Sequence, residues 1–224
     1  MLNIDEANAA FVTYREIKKR IVDLYYGVGE RLSEARLAEE LGVGRSPIRT
    51  ALSRLKSEGW IAISPQSGTY IKALTPREIR EVTELRMLLE MHAAGAAATR
   101  MSAPMLKTLR ADFRAKAPRI AKGDADAFIA LDNRLHAAIY DAADNSLVRQ
   151  TLLDLRDKVQ WIRRVCAVSQ ERVQDGFAEL EGILAALERR DTECAAKAMR
   201  DHVKSAAAFC ERLEEIAVLN QRTP

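Results

Sequence analysis

The feature that most constrains the fold is a glycine-containing turn followed by a short basic helix, over residues 42–58. Gly42 permits the left-handed backbone that ends a preceding helix. Ser46 is a favourable N-cap, and Pro47 suits the first helical position because no N–H is needed there. The stretch is predicted to form a helix with one apolar face, made of Ile48, Ala51, Leu52 and Leu55.

The opposite face of this helix is positively charged. From residue 45 to residue 57 the chain carries four cations and no acid. Short hydroxyl side chains between the arginines leave a face slim enough to enter a groove of DNA. A solvated basic surface would have the same composition, so the helix alone leaves both interpretations open. The residues of this face are Arg49, Thr50, Ser53, Arg54 and Ser57.

The flanking segments extend this pattern into a small domain. A helix is predicted from about Ala9 to Tyr26, and a second helix over 34–41 with Ser33 as its N-cap. Two short helices joined by a glycine-containing turn are typical of a helix-turn-helix. Two short strands at 61–63 and 69–71 then enclose a polar turn. They predict a two-stranded wing that approaches a nucleic-acid backbone or, alternatively, an ordinary hairpin that closes the core.

Composition narrows the class of protein. Of 224 residues, 48% are hydrophobic and 30% are charged, which indicates a folded chain of one or two domains. Only 5% are aromatic, which favours helix over sheet. The net charge of +3 is too small to imply a nucleic-acid partner by itself. The three cysteines include no CxxC pair and no disulfide framework, and no apolar run approaches membrane-spanning length. We therefore expect a cytoplasmic protein with no membrane association.

From residue 75 onward the sequence predicts only helices. Thr75, Pro76 and Glu78 form a capping-box pattern that opens the first of them. The predicted fold is therefore mainly α, a winged helix-turn-helix followed by an all-α helical bundle. The predicted spans are 75–100, 103–121, 124–143, 146–168, 170–189 and 191–218, and the predicted domains are 1–72 and 76–224 with a linker at 73–75.

Three ionisable residues interrupt apolar faces of the predicted bundle. Asp132 and His136 are four residues apart on one helix, and His202 lies on the apolar stripe of the last helix. Buried groups of this kind must be paired, hydrogen-bonded or bound to a metal. Aspartate and histidine together suit Zn²⁺ or Ni²⁺, while a hydrogen-bonded core cluster is the alternative.

Several arginines of the bundle are candidates for contacts with an anion. Arg86 is a candidate anchor for a carboxylate because a guanidinium can form two hydrogen bonds to it. An ion pair with Glu84 or Glu90 is the alternative. Arg163 and Arg164 follow a tryptophan, and the sequence leaves open whether they line a cavity or the surface.

Residues 9–72, and most clearly the run from Arg31 to Ile71, resemble the winged helix-turn-helix of the GntR family of bacterial transcription regulators. The resemblance rests on Leu-Ala-x-x-Leu-Gly-Val, Arg-x-Pro-x-Arg, Glu-Gly and Gly-Thr at matching intervals. It implies DNA contacts from the start of the basic helix and from the wing. The family usually has an arginine at the position of Ala35, for which Arg36 is the nearest cation. The candidate DNA-binding residues are Arg36, Arg45, Ser46, Pro47, Arg49, Thr50, Ser53, Gly68 and Thr69.

Residues 75–217 resemble the ligand-binding domain of the FadR-like (FCD) branch of that family. The resemblance rests on Glu-Leu-Arg and Leu-Glu in the first bundle helix and on the later Asp-x-x-x-His. Many FCD domains bind a metal through one aspartate and three histidines. Three of those positions match here, and the fourth is Leu180, which cannot coordinate a metal. The implied metal ligands are Asp132, His136 and His202, and with Arg86 they are the candidate effector-binding residues.

Together these observations predict a ligand-responsive transcription regulator and not an enzyme. A homodimer would bind a double-stranded DNA operator. The resemblance implies a small-molecule effector, often an organic or sugar acid. Zn²⁺ or Ni²⁺ would be held with a water or ligand carboxylate in the fourth position, or the effector would bind without a metal. The alternatives are an all-α metalloenzyme that uses the Asp/His cluster and a DNA-binding protein without an effector.

Overall fold

The computed structural model describes residues 4–64, 68–72, 75–166 and 169–221. The predicted wing turn at 65–67 and the predicted linker at 73–74 lie outside this part of the chain. By its internal contacts the chain divides into two compact units, Met1–Leu74 and Thr75–Pro224. We describe each unit by itself.

The N-terminal unit consists of three helices and a small sheet. Helix α1 packs against α3, and the apolar side chains between them, including Ile17, Ile21, Ile48 and Leu55, are fully buried. This is the core that the apolar stripe of the basic helix predicts. The elements are α1 (Ile4–Val22), β1 (Arg31–Leu32), α2 (Glu34–Leu41), α3 (Arg45–Ser57), β2 (Ile61–Ser64) and β3 (Gly68–Ile71).

The sheet has one strand more than the sequence predicted. Its order is β1-β3-β2, and both pairings are antiparallel. Arg31 pairs with Tyr70, and Ile61 pairs with Ile71. The prediction of a two-stranded wing missed β1, because two residues are too short to display the alternation that identifies a strand.

The helix ends agree with the predictions at α2 and differ at α1 and α3. The Ser33 hydroxyl accepts a hydrogen bond from the N–H of Arg36, and Gly42 ends α2 with φ of 63°. Helix α1 ends at Val22 instead of Tyr26. The prediction that Ser46 caps α3 is also wrong, because Gly44 occupies the N-cap position and makes no side-chain hydrogen bond. Ser46 and Pro47 therefore lie in the first turn, where N–H groups lack intrahelical partners anyway.

The C-terminal unit is a bundle of helices, as predicted. Helix α9 packs along α4, where Ala93, Ala94 and Ala97 are completely buried and permit a close approach. The predicted capping box at Thr75 and Glu78 is present. None of the helices in the described ranges is long and apolar enough to cross a membrane. The elements are α4 (Pro76–Arg100), α5 (Ala103–Ile120), α6 (Ala125–Ala142), α7 (Ser146–Cys166), α8 (Gln170–Glu188) and α9 (Thr192–Gln221).

Candidate functional site

The first candidate site is the exposed face of α3. Arg45, Arg49, Thr50 and Ser53 are all exposed, while the four apolar residues of the opposite face are buried. The helix begins without a side-chain cap, so the N–H groups of its first turn are not bonded to a capping side chain. Such an end attracts anions through its free N–H groups and the helix dipole. The structure thus brings basic side chains and an anion-binding helix end to one surface.

The arginines of this face differ in how firmly they are held. Arg49 donates from Nε to Glu34 at 2.9 Å, but 68% of its side chain is exposed, so the pair is weak and can exchange partners. Arg54 is more restrained, because its guanidinium lies 4.0 Å from the centre of the Tyr14 ring and also binds Glu58. The Thr50 hydroxyl donates to the carbonyl oxygen of Ser46 within the helix.

Arg36 is already engaged by two carboxylates. Its guanidinium lies 2.7 Å from Glu30 and 2.6 Å from Glu40. Hydrogen bonds to Glu40 and Glu30 raise the pKa of Arg36 above its ordinary value. A phosphate would therefore have to compete with two acids for this side chain. Arg36 is adjacent to Ala35 in the sequence, but it is poorly suited to replace the DNA contact of the arginine that the family usually has there.

The sheet contributes the predicted Gly68 and also Arg31, which is not among the residues predicted to bind DNA. Gly68 has a backbone φ of 112°, which residues other than glycine rarely adopt. A Cβ at Gly68 would lie 2.8 Å from Nε of Arg31, so the exposed Arg31 side chain crosses directly over it. Thr69 lies beside it in β3, paired with Leu32. In the sequence, only the positive charge of Arg31 indicated a DNA contact, because strand β1 was not predicted.

The second candidate site is a polar cluster buried in the helical unit. Asp132 and His136 from α6 meet His202 from α9, and all three are almost completely buried. The Oδ1 atom of Asp132 lies 3.5 Å from Nε2 of His136 and 3.2 Å from Nε2 of His202. One ligand atom from each residue falls within 4.8 Å of the others. The structure therefore unites the three residues that the sequence singled out.

A carboxylate lies behind each histidine of the cluster. Glu90 is 3.1 Å from Nδ1 of His136, and Glu179 is 2.9 Å from Nδ1 of His202. A carboxylate at Nδ1 holds the proton there and leaves Nε2 as the free donor atom, which is the usual arrangement behind metal-binding histidines. The sequence did not predict a role for Glu179, because it lies on α8 instead of α6 or α9. It is also next to Leu180, the position where the fourth metal ligand was expected.

Arg86 is buried against Glu90 and matches the ion-pair alternative. Its Nε donates to Glu90 at 2.9 Å, and the Tyr140 hydroxyl donates to the same carboxylate at 2.8 Å. Burial alone would raise the pKa of Glu90, but the charges of Arg86 and His136 and their hydrogen bonds hold it well below its ordinary value. Arg86 therefore supports His136 indirectly through Glu90.

Arg163 lies inside the cluster, which answers a question that the sequence left open. Its Nε is 2.5 Å from Oδ2 of Asp132, and Nη1 donates to Asn133 at 2.5 Å. Burial alone would raise the pKa of Asp132, but the charge of Arg163, followed by that of His136, holds it well below its ordinary value. Although close, the Arg163 and Asp132 groups are not aligned as a hydrogen bond.

The donor atoms fit a metal ion with three protein ligands. Asp132 Oδ1 and His136 Nε2 have no hydrogen-bond partner within the described ranges, although both are buried. Such atoms normally have a partner, and together with His202 Nε2 they form a donor set that suits zinc or nickel. Leu180 is completely buried and offers no lone pair. A fourth ligand would have to be water or a bound small molecule.

A winged helix-turn-helix joined to an all-α unit with a buried polar cluster defines a class of DNA-binding regulators that sense small molecules. Comparison with known families agrees. Residues 11–71 match the family described as bacterial regulatory proteins, gntR family, and residues 81–205 match the FCD domain. The chain belongs to the GntR family and carries an FCD domain.

Individual relatives are transcription regulators. The chain is 27% identical over 175 residues to the Nta operon transcriptional regulator of Aminobacter aminovorans, covering 78% of this chain and 82% of that protein. It is 24% identical over 202 residues to the HTH-type transcriptional repressor RspR of Escherichia coli, covering 90% and 89% respectively. The solved structure of E. coli McbR/YncC has the same fold, with a TM-score of 0.73, 20% identity, and coverage of 96% of this chain and 100% of that one.

These comparisons establish the general function. The protein is a DNA-binding transcription regulator with a C-terminal effector-binding domain. The relatives named above are regulators or repressors and not enzymes, and nothing in them supports the metalloenzyme alternative.

Proposed function

We propose that the protein binds its operator as a homodimer, and that each subunit inserts its α3 helix into the major groove of one half-site. The proposal depends on the exposed basic face of α3. The opposite face is buried in the core, so the basic face is the one that can contact DNA. Helix-turn-helix proteins commonly match a two-fold operator with a two-fold dimer. Arg49 would read or flank a base, while Arg45 and the wing residues Gly68 and Thr69 would fix the register on the phosphates.

The other candidate residues of this surface would contribute to DNA binding to different extents. Ser46 and Pro47 lie in the first turn of α3, where the backbone would meet a phosphate. Thr50 and Ser53 would line the contact with the base edges, because both are exposed and short. Arg36 would contribute less, because Glu30 and Glu40 already bind it.

We further propose that the effector is a small carboxylate that binds at the buried cluster. Nη2 of Arg163 is buried and lacks a hydrogen-bond acceptor within the described ranges. An effector carboxylate could accept a charge-assisted hydrogen bond from it. Asp132, His136 and His202 would form the adjoining wall. Effector binding would shift the population of dimer geometries and hence the spacing of the two α3 helices.

A divalent metal, zinc or nickel, would be held by Asp132, His136 and His202. When bound it would supply positive charge and an open coordination position for the carboxylate of the effector. Glu90 and Glu179 would hold the two histidines in the tautomer that presents Nε2.

The protein would act in the cytoplasm, where its operator DNA is located.

The DNA-binding proposal is tested by replacing Arg49 with alanine. Arg49→Ala should weaken binding to the operator upstream of the protein's own gene by about 1–3 kcal/mol. Fluorescence anisotropy with a labelled promoter fragment measures it. Arg149→Ala is the control, because Arg149 pairs with Asp141 on the surface of the helical unit. Equal affinities of wild type and Arg49→Ala for the true operator would contradict the proposed docking.

The effector proposal is tested by thermal shift. A panel of organic acids is added to chelator-treated protein, with and without Zn²⁺ or Ni²⁺. A matching acid should raise Tm with a saturable dependence on its concentration, because it binds only the folded state. If no acid raises Tm in either condition while operator binding is intact, the alternative without an effector is favoured.

A further inference from the structure

We infer that Arg163 sets the metal affinity of the buried cluster, because its guanidinium competes with a divalent cation for Asp132. This inference rests on the proposed metal site and concerns how tightly that site binds. The other residues of the cluster favour a metal, whereas Arg163 opposes it. The consequence is a measurable one: removal of the charge on Arg163 should strengthen metal binding.

The competition follows from the shared carboxylate. Asp132 is the acid among the three donor residues, and its Oδ1 faces Nε2 of both histidines. Its other oxygen, Oδ2, lies 2.5 Å from Nε of Arg163. A cation bound to Oδ1 would therefore be within a few ångströms of a buried guanidinium. Repulsion at that separation is strong, because little water is present to screen it.

With both histidines neutral, as metal binding requires, the charges around the cluster are balanced. Three carboxylates then each face one guanidinium. A dication would add two uncompensated charges to a buried site, which is costly. The three pairs are Arg86 with Glu90 at 2.9 Å, Arg163 with Asp132 at 2.5 Å, and Arg172 with Glu179 at 2.9 Å.

Only the Arg163 pair includes a metal donor. The carboxylates of the other two pairs contact Nδ1 of a histidine, on the side away from the metal. Arg163 has a second anchor, because Nη1 donates to Asn133 and Asn133 donates in turn to Gln160. Its charge therefore stays beside Asp132 when a metal approaches. Leu180 adds no lone pair that would compensate for this repulsion.

The experiment compares zinc affinity among full-length variants. Chelator-treated protein is titrated with Zn²⁺ in competition with a chromogenic chelator. Arg163→Met keeps the length of the side chain but removes its charge, and should bind zinc more tightly by about tenfold or more. Arg164→Met is the matched control, because the neighbouring Arg164 pairs with Asp126, which is not one of the cluster residues. Its zinc affinity should equal that of wild type, and Arg163→Lys should stay close to wild type.

Folding is measured on the same samples. Arg163→Met leaves the Asp132 carboxylate without its partner, so the variant should melt below wild type in the absence of metal. Zn²⁺ should then raise its Tm by more than it raises that of wild type. Arg163→Gln is a second neutral variant, used if the methionine variant does not fold. A zinc affinity of both neutral variants that is equal to or below that of wild type would overturn the inference.

A gain-of-ligand variant separates this inference from the metal site itself. Leu180→His supplies a fourth donor without touching Arg163, and should also raise zinc affinity. If Leu180→His binds zinc more tightly and the neutral Arg163 variants do not, the metal site stands and the competition is refuted. If Asp132→Asn binds zinc as wild type does, the metal site itself is wrong, and the inference is overturned with it.

Discussion

Two ion pairs on α4 have the same residue types and the same spacing, so that a buried pair can be compared with an exposed one. Arg86 and Glu90 are four residues apart and almost completely buried, whereas Arg77 and Glu81 have the same spacing on the same helix and are 82% and 57% exposed. The closest contacts are similar, at 2.9 and 2.7 Å. We therefore compare Glu90→Gln with Glu81→Gln.

The expected magnitude follows from what Glu90 holds in place. Its carboxylate accepts hydrogen bonds from Arg86 and Tyr140 and contacts Nδ1 of His136. Loss of its charge leaves the Arg86 guanidinium buried without compensation, which costs about 3–5 kcal/mol. That is a large part of the about 5–15 kcal/mol that stabilises a typical domain. The solvated pair at Glu81 should contribute nothing measurable.

Urea unfolding at neutral pH measures both variants. Trp161 is a buried reporter in the helical unit, and replacing Trp60 with phenylalanine removes the second tryptophan of the chain. Because the pKa of Glu90 is held well below its ordinary value, its contribution is fully present above the ordinary carboxyl pKa. The difference between wild type and Glu90→Gln should therefore be constant above that pH and shrink as the pH falls below it.

The result that would refute this reasoning is a small effect of Glu90→Gln. If the variant unfolds at the same urea concentration as Glu81→Gln, the buried charge of Glu90 is not what offsets Arg86. A double variant with methionine at both Arg86 and Glu90 then distinguishes the cases. It should be far closer to wild type than Glu90→Gln, because an apolar pair leaves no buried charge unpaired.

Two further predictions concern stability. Ser33→Ala should lower the stability of the N-terminal unit by about 0.5–2 kcal/mol, because α2 loses its capping hydrogen bond; Trp60 fluorescence during urea unfolding measures this loss, and no loss would mean that the cap is not needed. Gly176→Ala should destabilise the helical unit by up to about 2 kcal/mol, because the new Cβ would lie 2.5 Å from the Phe128 ring. Gly182→Ala on the same helix has open space around it and should stabilise by up to about 1 kcal/mol, so that equal signs for the two variants would contradict the packing argument.

The helical architecture could be predicted because its signals are local. The capping residues Ser33 and Thr75 and the left-handed Gly42 act within four residues of their own position, and they are found where the sequence predicted them. The two failures have different causes, one local and one not. Ser46 and Gly44 are both acceptable N-caps, and the sequence pattern alone chose the wrong one. Strand β1 depends on pairing with β3, far along the chain, and so has no signal of its own.

The buried cluster could be predicted only in part. Asp132 and His136 share a helix, so helical spacing alone brings them together. Arg163 and Glu179 lie on other helices, and no spacing rule relates them to Asp132 or His202. For Arg86 the sequence left two alternatives of equal merit, and the choice depended on the burial of Glu90, which is a property of the packed bundle.

Burial also explains why arginines of similar appearance in the sequence have different roles. Arg49 forms an exposed pair with Glu34, so a phosphate can replace that acid at little cost. Arg86 forms a buried pair, and exchange of its partner would leave a charge without compensation. Arg163 lies between these cases, because its Nε and Nη2 are buried but lack aligned acceptors. In the proposed site its charge would oppose a metal and its buried Nη2 would donate to a carboxylate, so that one residue would link effector binding to metal binding.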